Sequence, residues 1–229
     1  MVGAAVSWVV VSCVSVAMVV FSVLIFVASD GHKLVRVAST DVKGDKSASF
    51  ILPKKPANLL RSVLPREDGE VSLIFDENHA VIKLSKYSML CRFVEGRYPN
   101  YNSVIPVDNP NKVTLDRLNF LNAVKRVSVF SNPSSNLVKM QLSEDKILIT
   151  AQDIDYLTAA EEMITCQYAG TAMSIGFKAD FLADILNNIP STEVIIELSD
   201  PSRAGIIVPV ENEVNEEMLT LIMPMMLND

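Results

Sequence analysis

LPKKPANLLRSVLP (52–65) runs on into EVSLIF (70–75), and FKADFLADILNNIP (177–190) runs on into EVIIEL (193–198). The two passages share one plan. Pro65 and Pro190, which end the helical patterns, each stand twelve residues after Pro53 and Lys178. In the first copy Pro53 and Pro56 suit the opening turn of a short helix, and Leu59, Leu60, Val63 and Leu64 form its apolar face. Three strand-like segments follow each helix. The order recurs at 115–168. There Thr114 is placed to cap a helix, with Phe120, Ala123, Val124, Val127 and Phe130 on one face and Asn119, Asn122, Lys125 and Arg126 on the other. Strands are expected at 137–142, 146–152 and 160–168, and after the last helix at 193–198, 204–210 and 218–224. This is an internal repeat of one helix on an antiparallel meander, and the fold class it implies is α+β.

Upstream of the first copy stands FVASDGHKLVRVAS (26–39), two apolar runs around Asp30-Gly31, which reads as a hairpin with a tight I′ turn. EVSLIFDENHAVIKLSKYSMLCRFVEG (70–96) alternates apolar with polar around an Asp76-Glu77-Asn78 turn. RYPNYNSVIPVDNPNK (97–112), rich in Pro and Asn, reads as a linker. Residues 1–25 stand apart, because the first charged residue of the chain is Asp30. Three readings are open: an aberrant start outside the native fold, buried strands of the following domain, or a membrane span. The run lacks a basic n-region and a small-residue cleavage site, so it does not read as a signal peptide.

The chain has 229 residues and a net charge of −7, which argues against a uniformly polyanion-binding surface. The charge is uneven. Residues 30–66 carry eight Lys/Arg against three Asp, and residues 111–140 five against one, whereas residues 141–229 carry three against sixteen acids. Both basic stretches contain helix patterns. Enzyme signatures are scarce. The chain holds two histidines, His32 and His79, and no HExxH, GxSxG, P-loop or GxGxxG pattern. The three cysteines, Cys13, Cys91 and Cys166, are widely spaced among apolar neighbours and read as buried thiols. Asp30-Gly31-His32 has no catalytic partner in the pattern, and no metal or cofactor is expected. MLTLIMPMMLND (218–229) brings four further methionines and a proline, a composition suited to a surface that accepts varied peptide side chains.

FVASDGHKLVRVAS, FVEGRYPNYNSVIP (93–106) and the terminal LIMPMML (221–227) together resemble the bacterial DNA polymerase III beta subunit, the replicative sliding clamp. The resemblance covers residues 26–229. It implies a DNA-clamp fold of repeated helix-plus-antiparallel-strand units, with the helices on one face of curved sheets. It implies that 26–106 is the second half of a middle domain and that 108–229 is a C-terminal domain. The family closes two subunits into a ring around duplex DNA, joining the first domain of one to the third domain of the other. A chain without the first domain is therefore expected not to form that closed dimer. The resemblance further implies a cytoplasmic, non-catalytic processivity factor. Partner peptides of polymerase, clamp loader and repair proteins would dock on Ser29, Gly31, His32, Lys33, Leu34, Pro99, Val104, Leu221, Met223, Pro224, Met225, Met226 and Leu227. Met226 and Ser103 stand where the family often carries basic residues, and Asn228 and Asp229 extend past its usual terminal Leu. Lys54, Lys55, Arg61, Lys125 and Arg126 are expected to face DNA through sequence-independent phosphate contacts. The alternative is a binding module anchored in a membrane by residues 1–25.

Overall fold

The computed structural model describes residues 15–20, 23–42 and 48–227. What the sequence raises about residues 1–14, Cys13, Asn228 and Asp229 lies outside the described residues. The chain divides into two compact units, the first comprising residues 1–100 with 212–218, the second 101–211 with 219–229.

The first unit opens with β1 (Ser15–Val20) and β2 (Val23–Ser29), then β3 (Lys33–Ser39) and β4 (Ala48–Leu52), in the antiparallel order β4-β1-β2-β3. Residues 15–20 and 23–25, read above as apolar sequence of open status, are thus ladder-paired strands. Among the described residues no helix is long and apolar enough to cross a membrane. β4 leads directly into α1 (Lys54–Val63), whose Ala57 and Leu60 are buried. Then come β5 (Ser72–Phe75), β6 (His79–Lys83) and β7 (Ser88–Arg92), a separate three-stranded sheet in that order. Phe50 of β4 stacks on Phe93 at 4.3 Å between centroids and tilts against Phe75 at 5.5 Å. Segment 212–218 lies along β3, with the Thr40 amide donating to the Asn215 carbonyl (2.9 Å) and Arg36 paired to Glu217 (3.2 Å).

The second unit shows the repeat in full. β8 (Asn111–Asp116), α2 (Arg117–Ser128), β9 (Leu137–Ser143), β10 (Lys146–Asp153) and β11 (Thr158–Thr165) form one copy. β12 (Met173–Lys178), α3 (Ala179–Asn188), β13 (Glu193–Leu198), β14 (Gly205–Pro209) and β15 (Glu216–Ile222) form the other. The copies exchange their leading strands: β12 joins β11-β10-β9, and β8 joins β15-β14-β13. α2 packs on α3, burying Phe120, Val124 and Val127 with Leu182, Ile185 and Leu186. Alternation along β9, β10 and β13 sends Val138, Met140, Ile147, Ile149, Val194 and Ile196 into the same core.

The repeat is therefore strand–helix–three strands, one strand longer than the sequence pattern indicates. Each full copy is closed in the same way. A residue just past the third strand of the meander makes an isolated antiparallel bridge to the leading strand: Val94 to Ile51, Gln167 to Thr114, Met225 to Gly176. Two local expectations are corrected. Thr114 lies in β8, and the α2 cap is Asp116, which accepts from the Asn119 amide at 2.6 Å, because the leading strand fills the place where a cap was sought. Phe130 lies beyond the end of α2 and is exposed rather than on the buried face.

Candidate functional site

Five of the expected peptide-binding residues sit on the β2–β3 hairpin of the first unit. Its turn is organised by Asp30, whose Oδ1 accepts from the amides of His32 (3.0 Å) and Lys33 (2.9 Å). Ser29 Oγ donates to the Lys33 carbonyl (3.0 Å) and accepts from the Gly31 amide (3.2 Å). Gly31 has φ +87°, the left-handed region that favours glycine, while Asp30 and His32 are not in that region. The turn is thus not the I′ turn expected from Asp-Gly. It is closed by the Asp30 side chain and by the Asp30 amide donating to the Lys33 carbonyl (3.2 Å). Asp30 is used by the turn itself, and among the described residues no group of His, Cys, Asp and Glu is arranged to hold a metal. Gly31 and His32 are exposed, whereas Lys33 and Leu34 are buried. The hairpin therefore presents the 31–32 edge, with Leu34 beneath it in the core. Pro99, at the end of the first unit, is exposed.

In the second unit, residues 223–227 lie along β12. The Met225 amide donates to the Gly176 carbonyl at 2.8 Å. The absence of a side chain at 176 allows this approach: a Cβ there would lie 2.8 Å from Leu227 Cδ2, 2.9 Å from Leu137 Cδ1 and 2.9 Å from the Met225 carbonyl oxygen. Leu221 is buried. Met223 and Met226 are exposed, Met226 to 76%, and Pro224, Met225 and Leu227 are half-buried. Val104, in the one-turn 3-10 segment Tyr101–Val104, is exposed. The chain end thus offers thioether and proline surface on a backbone fixed by the bridge to Gly176, which is what an apolar docking surface requires.

The expected phosphate contacts separate into two groups. On α1, Lys54, Lys55 and Arg61 are all exposed. Lys54 and Lys55, with Asn58 and Leu59, line an open groove of about 400 Å³. No acidic residue lies in the first turn of α1. On α2 the arrangement differs. Arg126 grips Glu162 of β11 with two prongs, Nη2 to Oε1 at 2.5 Å and Nε to Oε2 at 2.9 Å. The pair holds the Glu162 carboxyl below the ordinary carboxylate range and keeps Arg126 charged. Arg117 donates to the carbonyls of Ser191 (2.7 Å) and Leu186 (2.8 Å) and so ties α2 to the end of α3. Lys112 is paired to Glu197 at 2.8 Å. Lys125 is exposed. Lys112 and Arg126, two of the five cations read from 111–140, are thus paired to acids within the unit, and the partners Glu162 and Glu197 lie too far along the sequence to be read from the helix pattern.

Comparison with known proteins agrees with this division. The DNA polymerase III beta subunit central domain family matches residues 14–100, and its C-terminal domain family matches 102–226. The beta sliding clamp of Pseudomonas aeruginosa is 27% identical over 202 residues, which is 88% of this chain and 54% of that protein. That of Proteus mirabilis is 30% identical over 203 residues, again 88% and 54%. The chain therefore spans about half the length of the curated relatives it matches. A crystal structure of the P. aeruginosa DnaN sliding clamp bound to griselimycin superposes with TM-score 0.88 at 26% identity, covering 93% of this chain and 57% of that one. The beta subunit of Thermotoga maritima superposes at TM-score 0.91 and 22% identity, covering 99% and 64%, a likeness of fold. The chain belongs to the DNA polymerase III beta subunit family, the beta sliding clamps.

Proposed function

We propose that the chain acts as a sliding clamp, a non-catalytic cytoplasmic processivity factor that tethers a replicative polymerase to duplex DNA. Residues 26–106 supply the second half of a middle clamp domain, and 108–229 a C-terminal clamp domain. Short peptides of polymerase, clamp loader and repair proteins dock on Ser29, Gly31, His32, Lys33, Leu34 and Pro99 of the first unit. In the second unit they dock on Val104, Leu221, Met223, Pro224, Met225, Met226 and Leu227. The observation that carries this reading is the built chain end. Gly176 and the Met225 amide fix 223–227 as a rigid strip with Met223 and Met226 turned outward. A preformed apolar strip loses little conformational entropy when a ligand covers it.

DNA contact is electrostatic and rests on Lys54, Lys55, Arg61 and Lys125, with Arg126 contributing less because Glu162 occupies its fork. Binding of a fluorescent Gln-Leu-x-Leu-Phe peptide tests the peptide site, with griselimycin as competitor. A micromolar Kd, about −8 kcal/mol, that is lost in Met225→Lys supports the reading. A folded protein with no saturable binding refutes it.

A further inference from the structure

Four of the chain's ten methionines lie in residues 218–226, and the fold sorts them by exposure. Met218 is 7% exposed and belongs to the core. Met225 is half-buried, whereas Met223 and Met226 are 41% and 76% exposed. The last two stay at the surface because the backbone that carries them is fixed. The Met225 amide holds the strip to the Gly176 carbonyl, and Leu227 closes over Gly176. Leu221 and Leu227, the leucines of the strip, are buried and half-buried. The exposed large apolar surface of 221–227 is therefore carried on thioether side chains. Elsewhere among the described residues, Met140 is fully buried and Met89 and Met173 are half-buried. Met163, on β11 and outside the strip, is 61% exposed.

We propose that Met223 and Met226 form a reversible oxidation site, through which peroxide weakens peptide docking at the chain end. The inference rests on the docking reading above and adds its regulation. In the oxidation a lone pair on Sδ attacks one oxygen of hydrogen peroxide, the O–O bond breaks and an S–O bond forms. The sulfur gives up two electrons, and the other oxygen takes both hydrogens and leaves as water. The product sulfoxide is polar and chiral where the thioether was apolar. A docked peptide that lays an apolar side chain on it buries the new oxygen without a hydrogen-bond partner, which is unfavourable. The thioether, by contrast, is polarisable and suits varied apolar contacts. Methionine sulfoxide reductase reverses the step: the oxygen leaves as water while two thiols are oxidised to a disulfide. The fold survives the change, because the two oxidisable side chains of the strip are exposed whereas Met218 and Met140 are covered by the core. A bound peptide covers the same two sulfurs and slows their oxidation.

Treating the whole chain with hydrogen peroxide, mapping sulfoxides by mass spectrometry and titrating the Gln-Leu-x-Leu-Phe peptide tests this. Met226, Met223 and Met163 should oxidise well before Met218 and Met140. Each sulfoxide in the strip should weaken the peptide about tenfold, and reductase with a dithiol should restore the affinity. Saturating peptide should protect Met223 and Met226 but not Met163. The double variant Met223→Leu and Met226→Leu, whatever its own affinity, should bind equally before and after peroxide, whereas Met163→Leu should keep the loss. Circular dichroism checks that the oxidised protein remains folded. Untreated protein that binds no peptide sinks the docking reading, and this one with it. Untreated protein that binds, with oxidised Met223 and Met226 binding equally well, overturns the oxidation site alone. So does a loss of affinity that persists in the double variant.

Discussion

Gly176→Ala puts the rigidity of the chain end to a quantitative test. The new Cβ would meet three atoms at 2.8–2.9 Å, two of them ends of leucine side chains and the third the Met225 carbonyl oxygen. Leucine methyls can rotate away, but a backbone oxygen moves only with its strand. Residues 223–227 must therefore shift off β12, losing the Met225 amide bond to Gly176, worth about 1 kcal/mol. Repacking around Leu137 and Leu227 adds roughly 1–3 kcal/mol of strain. The sum is about 2–4 kcal/mol, a fall in Tm of roughly 5–15 °C for a domain of this size. Calorimetry reads the melting, and the peptide titration should weaken in parallel. Gly205→Ala is the control, because its closest obstruction is a movable side-chain methyl, Leu198 Cδ2 at 2.9 Å. A Gly176→Ala protein that melts within about 1 °C of the parent and binds peptide equally well would refute the claim that this bridge sets the strip.

Other outcomes follow from the same geometry. Asp116→Ala, which removes the α2 cap, should cost about 1 kcal/mol in a denaturant titration, and Asp116→Asn should recover most of it. Stability should fall on acidification. Glu67 (Ser85 hydroxyl), Asp76 (Asn78 amide), Asp200 (Ser202 hydroxyl) and Glu162 (Arg126) all have carboxyls held below their usual range. Depressed carboxylates contribute stability above their unfolded pKa near 4, and that contribution disappears as pH drops through the folded values. Urea midpoints that stay flat from pH 6 to the acid limb would contradict this. Cys91 and Cys166 are buried, with thiols pushed up by desolvation. Mass spectrometry should find both unalkylated by iodoacetamide at pH 8 until denaturant is added.

The helices were legible because their apolar spacing and terminal prolines repeat, and the meanders because they alternate around Asp- and Gly-bearing turns. The leading strands were not. ASFIL, NKVTLD and MSIGFK run into their helices without an intervening turn, so the helical pattern absorbs them. Asp30-Gly31 announced the hairpin but not the turn type, since a carboxylate that accepts two amides does the work assigned to a second left-handed residue. Exposure along 223–227 could not be read from composition, because Met226 and Leu227 differ in setting through the contact with Gly176. The pairing of Arg126 with Glu162 was not legible, because Glu162 lies on another element.

The isolated bridges also bear on how the chain reaches its native state. Each joins the first strand of a repeat to a residue beyond its last, so no repeat is complete until a loop of roughly 40–55 residues has closed. Local helix and hairpin formation can be fast, but these closures hold the folding rate toward the slow, milliseconds-to-seconds range of sheet-rich topologies. Until they form, the edges of β4, β8 and β12 stand open to the wrong partner, and misregistered sheets are the expected kinetic trap.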